Sequence, residues 1–205
     1  MYIRSVSTRA LQKATEIFRQ QGGLLRTMQA IDLGIHPRTL YEMRDKVMIH
    51  QLTRGLYRLA TLPPTPELDL VAIAARIPRA TVCLASALAY HRIVTTSPQA
   101  VQIALPRGTK APTLEPPVHV FRFSGKALTE GVQVVRFGAV TLRVYRAEKA
   151  VADCFRFRNK IGIDVAIEAL YRGLDRKQIK LSELAKYARI CRVERVMDPY
   201  LRARL

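Results

Sequence analysis

TMQAIDLGIHPRTLYEMRDKVMIHQLTRGLYRL, residues 27–59, is the stretch that decides the fold. Its spacing predicts two short helices joined by a tight turn, followed by a β-hairpin. Thr27 is read as the N-cap of a first helix of about seven residues, with Met28, Ala30 and Ile31 available to the core. Gly34 can take the positive φ that ends a helix. His36 precedes Pro37, and proline is favoured at the first helical position because its missing N–H would have no partner there anyway. The second helix is predicted from Pro37 to about Lys46. Leu40, Met43 and Val47 recur three and four apart and form its buried stripe, leaving Arg38, Thr39, Tyr41, Glu42 and Arg44 largely on the other side. Ile49–Leu52 and Leu56–Leu59 alternate around a turn that contains Arg54 and Gly55, which reads as a hairpin. Two helices at a tight turn with a basic hairpin behind them make a winged helix-turn-helix, in which the second helix enters the major groove of DNA.

Upstream, residues 7–21 predict one more helix, capped by Ser7 or Thr8, with Leu11, Ala14, Ile17 and Phe18 on its buried face. Gln21-Gly22-Gly23 ends it. The expected N-terminal domain is therefore residues 1–62, three helices and a wing. Pro63-Pro64-Thr65-Pro66 can continue neither a helix nor a central strand, so residues 63–66 are read as an extended linker and the domain boundary. Beyond it, helices are expected from Glu67 to Arg76 and, capped by Thr81, from Thr81 to His91. Strands are expected at Ala100–Leu105, Val118–Phe123, Gln133–Phe137 and Ala139–Tyr145, with Pro112, Pro116 and Pro117 punctuating a loop. Helices return at Ala147–Phe157, at Ile163–Arg172, at Glu183–Ile190 behind a Ser182 cap, and at Glu194–Leu205. Helices, then strands, then helices argue for an α+β domain over residues 67–205, and the fold class is α+β overall.

The net charge of +18 implies an anionic partner, whether nucleic acid, an acidic protein or an anionic surface. Residues 1–62 hold 10 Lys+Arg against 4 Asp+Glu, and residues 63–205 hold 24 against 12, so most of the excess lies beyond the winged helix. A generally basic, arginine-rich composition is the bland explanation of that second share. No stretch offers the roughly 18 consecutive apolar residues of a membrane span. The first residues, MYIRSVSTRALQKATEIF, lack the apolar core of a secretory signal. Cys83, Cys154 and Cys191 are too widely separated for a metal-spaced pair, and three is an odd number for a disulfide framework. Buried reduced thiols in a cytoplasmic protein are the expectation.

Arg38 and Thr39 fall in the first turn of the second helix, where helix-turn-helix proteins reach base edges, and Tyr41 and Arg44 follow on the same side. Arginine can read guanine with two hydrogen bonds, whereas a solvated helix face touching phosphates alone is the plainer alternative. Arg54 at the wing tip and Arg58 on its return strand are candidates for phosphate or minor-groove contact, and Tyr57 is expected to pack the wing onto the helices. His36 is read as a turn residue. Enzymatic readings find little support. His36, His50, His91 and His119 are scattered without metal-ligand spacing, and neither a nucleophile elbow nor a P-loop occurs. Glu148 and Asp153 lie five apart, which does not set them on one helix face, and Asp153 reads as a cap or salt-bridge partner. No catalytic residue, metal or cofactor is expected.

Leu84-Ala85-Ser86-Ala87-Leu88-Ala89-Tyr90-His91 after the winged helix and linker resembles the AbiEi-type antitoxins, transcriptional regulators of bacterial type IV toxin–antitoxin systems. Arg54-Gly55-Leu56-Tyr57-Arg58 fits that family's wing. Val101 to Gly108, and Tyr145-Arg146-Ala147-Glu148-Lys149-Ala150-Val151-Ala152-Asp153-Cys154, fit two of its C-terminal segments. The resemblance implies an N-terminal domain that binds inverted repeats in double-stranded DNA and represses its own operon. It implies a C-terminal domain that counters a nucleotidyltransferase toxin and, in some members, aids cooperative DNA binding by a monomer or weak dimer. Two other readings stay open: a stand-alone winged-helix regulator, and a basic protein-interaction module with no toxin partner. A nuclease built on Asp153 is a further, weaker one.

Overall fold

A computed structural model describes residues 6–63, 67–95, 98–110, 117–138 and 140–204. Pro64, Thr65 and Pro66 of the expected linker, and Pro112 and Pro116 of the expected loop, lie outside the described residues. The chain forms two compact units, Met1–Pro78 with Arg136–Leu142, and Arg79–Val135 with Arg143–Leu205.

In the first unit, α1 (Thr8–Gln20) begins at Ser7, whose hydroxyl accepts from the Ala10 N–H at 3.3 Å. Strand β1 (Leu24–Arg26) leads into α2 (Thr27–Asp32), and α3 (Pro37–Asp45) follows Gly34, which has φ +88°. Strands β2 (Ile49–Thr53) and β3 (Leu56–Leu59) form the hairpin, and α4 (Leu68–Arg76) comes next. The sheet order β1-β3-β2 puts β3 in the centre, antiparallel to both neighbours. Leu11, Phe18, Leu25, Leu40, Met43 and Ile49 make one buried cluster with Tyr57 and Leu59, so the wing shares a core with the helices. This is a winged-helix arrangement, and Tyr57 packs as expected.

Several local expectations are corrected. Thr27 is the first residue of α2 and not its cap, because Arg26 is still paired with Leu56 in the sheet and the Thr27 N–H donates to the Gly55 carbonyl at 2.9 Å. Met28 is 65% exposed and does not join the core. Val47 is also outside the core. Helix α3 stops at Asp45, and Val47 takes a left-handed φ of 55° with 61% of its surface exposed. The chain has to turn there, and the Met48 N–H closes the turn on the Met43 carbonyl at 2.8 Å. Helix α4 packs on β2 within this unit, and Arg26 Nη2 donates to the Ala75 carbonyl in its last turn at 3.1 Å. That carbonyl has no partner within the helix, so the guanidinium supplies one.

The second unit holds β4 (Thr81–Val82), α5 (Leu84–Tyr90), β5 (Val101–Pro106), β6 (Val118–Phe123) and α6 (Lys126–Thr129). Strands β7 (Val132–Phe137) and β8 (Val140–Tyr145) come next in the chain, then α7 (Ala147–Arg156), α8 (Arg158–Ile161), α9 (Ile163–Asp175), α10 (Leu181–Cys191) and α11 (Glu194–Arg202). The sheet order is β6-β5-β4-β8-β7, with β5–β6 and β4–β8 parallel and β4–β5 antiparallel. Thr81 is therefore no cap. It is a buried strand residue opposite Ala104, and α5 starts only at Leu84. Ser182 does not cap either, since α10 has already begun at Leu181. Helix α7 is buried from Ala147 to Phe155 except at Glu148, and it packs against α5, α9 and α10.

Candidate nucleic-acid interface

The presentation of α3 starts with its N-terminus. The first N–H groups of a helix have no partner inside it. His36 has extended backbone, and its Nδ1 accepts from the Arg38 N–H at 3.1 Å, while Pro37 occupies the first helical position. His36 is thus a helix cap and not only a turn residue. The signal for this was present in the sequence, since His36 stands where a capping acceptor belongs, one residue before Pro37.

Arg38, Tyr41 and Arg44, three apart, are all exposed on α3. The Arg44 guanidinium lies 5.3 Å from the Tyr41 ring centroid, a cation–π distance. Arg44 also donates from Nε and Nη2 to Asp45 Oδ1, at 3.0 and 2.8 Å. A phosphate approaching Arg44 has to compete with that carboxylate. Glu42 is turned away from such use. Its Oε2 accepts from the Val6 N–H at 2.9 Å and its Oε1 meets Lys46 Nζ at 3.0 Å. The Val6 bond first, and then Lys46, hold its carboxyl below the usual range. Arg54 is exposed in the turn between β2 and β3, where Gly55 takes φ +74°. His50 and Gln51, exposed on the outer strand β2, share the wing with it.

Two expected contact residues lie elsewhere. Thr39 is only 6% exposed, because it sits on the side of α3 that also buries Leu40 and Met43. Arg58 is 9% exposed on the central strand, between Leu24 on β1 and His50 on β2, and its Nη1 donates to the Leu62 carbonyl. Its Nε is buried with no hydrogen-bond partner among the described residues. In this conformation neither side chain is on the surface that carries Arg38, Tyr41, Arg44 and Arg54.

The carboxylates suspected of nuclease chemistry do not converge. Asp153 is fully buried against Lys149, whereas Glu148 Oε1 accepts from the Lys180 N–H at 3.1 Å. The Cys83, Cys154 and Cys191 thiols are free and buried, and burial pushes them up, that of Cys191 to about 12. Among the described residues, no helix is long and apolar enough to cross a membrane.

The first unit is a winged helix, with Arg38, Tyr41, Arg44 and Arg54 exposed on its second helix and its wing. Residues 12–60 match the family model of "Transcriptional regulator, AbiEi antitoxin", so the resemblance read from the sequence holds over that stretch. That family is one of transcriptional regulators and antitoxins and not a class of enzymes. No curated protein matches the chain. The fold is similar to the crystal structure of the RV2827C protein from Mycobacterium tuberculosis, with a TM-score of 0.53 and 18% identity over 75% of this chain. The chain covers 62% of the length of that one, and at this identity the likeness concerns the fold alone.

Proposed function

We propose that this protein is a DNA-binding repressor of its own operon and the antitoxin of a type IV toxin–antitoxin pair, countering a nucleotidyltransferase toxin. The observation that carries the DNA-binding half is α3, capped by His36 and presenting Arg38, Tyr41 and Arg44, with Arg54 on the adjoining wing. Arg38, in the first turn, reads a base edge, and a bidentate contact to guanine is worth about 1–3 kcal/mol of discrimination. Arg44 and Arg54 contribute mainly to phosphate attraction and docking register. The family match over residues 12–60 supports the regulatory reading and brings the antitoxin role with it. Residues 1–62 are assigned to the operator, an inverted repeat taken by two copies of the chain. The second unit, Arg79–Val135 with Arg143–Leu205, is assigned to the toxin.

A reporter fused to the DNA upstream of the gene tests the first half. Wild-type protein represses it and Arg38→Ala releases it. Unchanged expression with wild-type protein contradicts the reading. Co-expression with the product of the adjacent gene, which this reading requires to be a toxic nucleotidyltransferase, tests the second half. Growth is restored by the full chain, and failure to restore it removes the antitoxin role while leaving the repressor role standing.

A further inference from the structure

Gln102 is a polar residue in a strand whose next three residues, Ile103, Ala104 and Leu105, are fully buried. It is 7% exposed itself, and a buried amide is costly unless its groups are matched. Three of them are. Its backbone carbonyl accepts from the Cys83 N–H at 3.0 Å, and its N–H donates to Ser86 Oγ at 2.9 Å. Its side-chain Oε1 accepts from the Ala85 N–H at 2.8 Å. These bonds hold the start of α5, where Leu84 has a φ of +50° that a β-carbon disfavours. The Ala85 N–H can be matched only by an oxygen, so the orientation of the Gln102 amide is fixed. Its Nε2 is left with two protons and no hydrogen-bond partner among the described residues, and Gln102 lines a cavity of about 330 Å³.

We propose that this cavity in the second unit binds a small organic monocarboxylate with an aromatic or branched apolar body. Val94, Phe121 and Val165 supply apolar wall, and Lys160 and His119 stand at the lining as well. Lys160 has no ion partner among the described residues, which leaves its ammonium available to an anion. Glu168 also lines the space, but its Oε1 is engaged by Arg172 at 3.0 Å. A carboxylate held between Lys160 and the Gln102 amide N–H, with an apolar body against Phe121 and Val165, satisfies each of these groups. Polar groups that converge on an apolar concavity of this size are the usual build of a small-ligand site. The strained φ at Leu84 is consistent with a site held in shape by its surroundings and not by local preference.

The test uses the full chain with four probes: benzoate, phenylacetate, salicylate and cyclohexanecarboxylate. Benzamide serves as the uncharged comparison. Saturation-transfer NMR and calorimetry should find saturable binding of at least one carboxylate, with benzamide about tenfold weaker or worse. Lys160→Met removes an exposed charge, so it should weaken that binding about tenfold and leave Tm unchanged. Gln102→Glu keeps an acceptor for Ala85 while replacing the NH2 by a repelling oxygen, and it should abolish binding. Val165→Trp, which fills the cavity without burying a charge, should do the same. Absence of saturable binding for all four carboxylates overturns the proposal, as does benzamide binding equally well. Affinity unchanged in both Lys160→Met and Val165→Trp overturns it too.

Discussion

Lys149 and Asp153, one helical turn apart on α7, form an ion pair 2.5 Å long with both side chains wholly buried. Lys149 Nζ also lies 4.2 Å from the Tyr145 ring centroid and 5.0 Å from that of Phe123. Asp153 Oδ1 accepts from Cys191 Sγ at 3.1 Å. Burial pushes the Asp153 carboxyl up, and the Lys149 ammonium beside it pulls the other way. Removing either partner strands a charge in the core. Lys149→Met or Asp153→Leu should each cost about 3–5 kcal/mol in urea unfolding. The pair Lys149→Met/Asp153→Leu should cost far less than the sum, since an apolar replacement of a buried pair is often neutral. Additive losses would show that the two side chains do not act as a unit.

Acid should weaken the second unit through His91. Its Nε2 faces the Tyr145 carbonyl at 2.8 Å, so the neutral ring carries its proton there, and burial holds its pKa below the ordinary 6.5. As pH falls through 6.5 the unfolded chain takes up a proton before the folded one does. The contribution is therefore complete above 6.5 and lost progressively below it. Denaturant midpoints measured from pH 7.5 to 5.5 should fall more for wild type than for His91→Gln. Parallel curves would remove His91 as the cause.

Cys83, Cys154 and Cys191 should not react with a water-soluble disulfide reagent while the protein is folded, because thiolate is the reactive form and burial disfavours it. All three should titrate once the chain is unfolded in guanidinium. Rapid native reaction of any one of them would show that its surroundings open.

His36→Ala removes the acceptor for the Arg38 N–H and should destabilise the first unit by about 0.5–2 kcal/mol. His36→Asp should recover most of that loss, since a short carboxylate caps well and also favours the helix N-terminus. A loss in both variants would mean that the imidazole does something other than cap.

What could be read from the chain, and what could not, divides by the range of the forces involved. Ser7, Gly34, Pro37 and Gly55 were legible because caps, positive φ and a fixed proline φ are local demands. Val47 was misplaced because a three-and-four spacing continues past the point where a helix must end, and the stop at Asp45 depends on where β2 has to begin. Thr39 and Arg58 are buried for a different reason. Which side of α3 is covered follows from its packing against α1, α2 and β2, and the central place of β3 follows from β1, a three-residue strand with too little pattern to be seen in sequence. Thr81–Val82 is shorter still, and its role shows only in its partners Ala104, Ile103 and Val144. Arg38, Tyr41, Arg44 and Arg54 remained on the surface because helical phase and a turn glycine determine their placement.

On the proposed function, α3 and the wing read one DNA sequence. A fluorescence-anisotropy titration of the upstream DNA, where the proposal puts an inverted repeat, and of a scrambled duplex, repeated across a salt series, tests this. Wild-type protein should bind the repeat about a thousandfold more tightly or better, with affinity falling steeply as salt rises. Arg38→Ala should lose about 1–3 kcal/mol of the preference, and Arg54→Ala should weaken both duplexes alike and reduce the salt slope by about one. Equal affinity for the two duplexes in wild type, with a salt slope near zero, would contradict DNA reading by α3 and the wing.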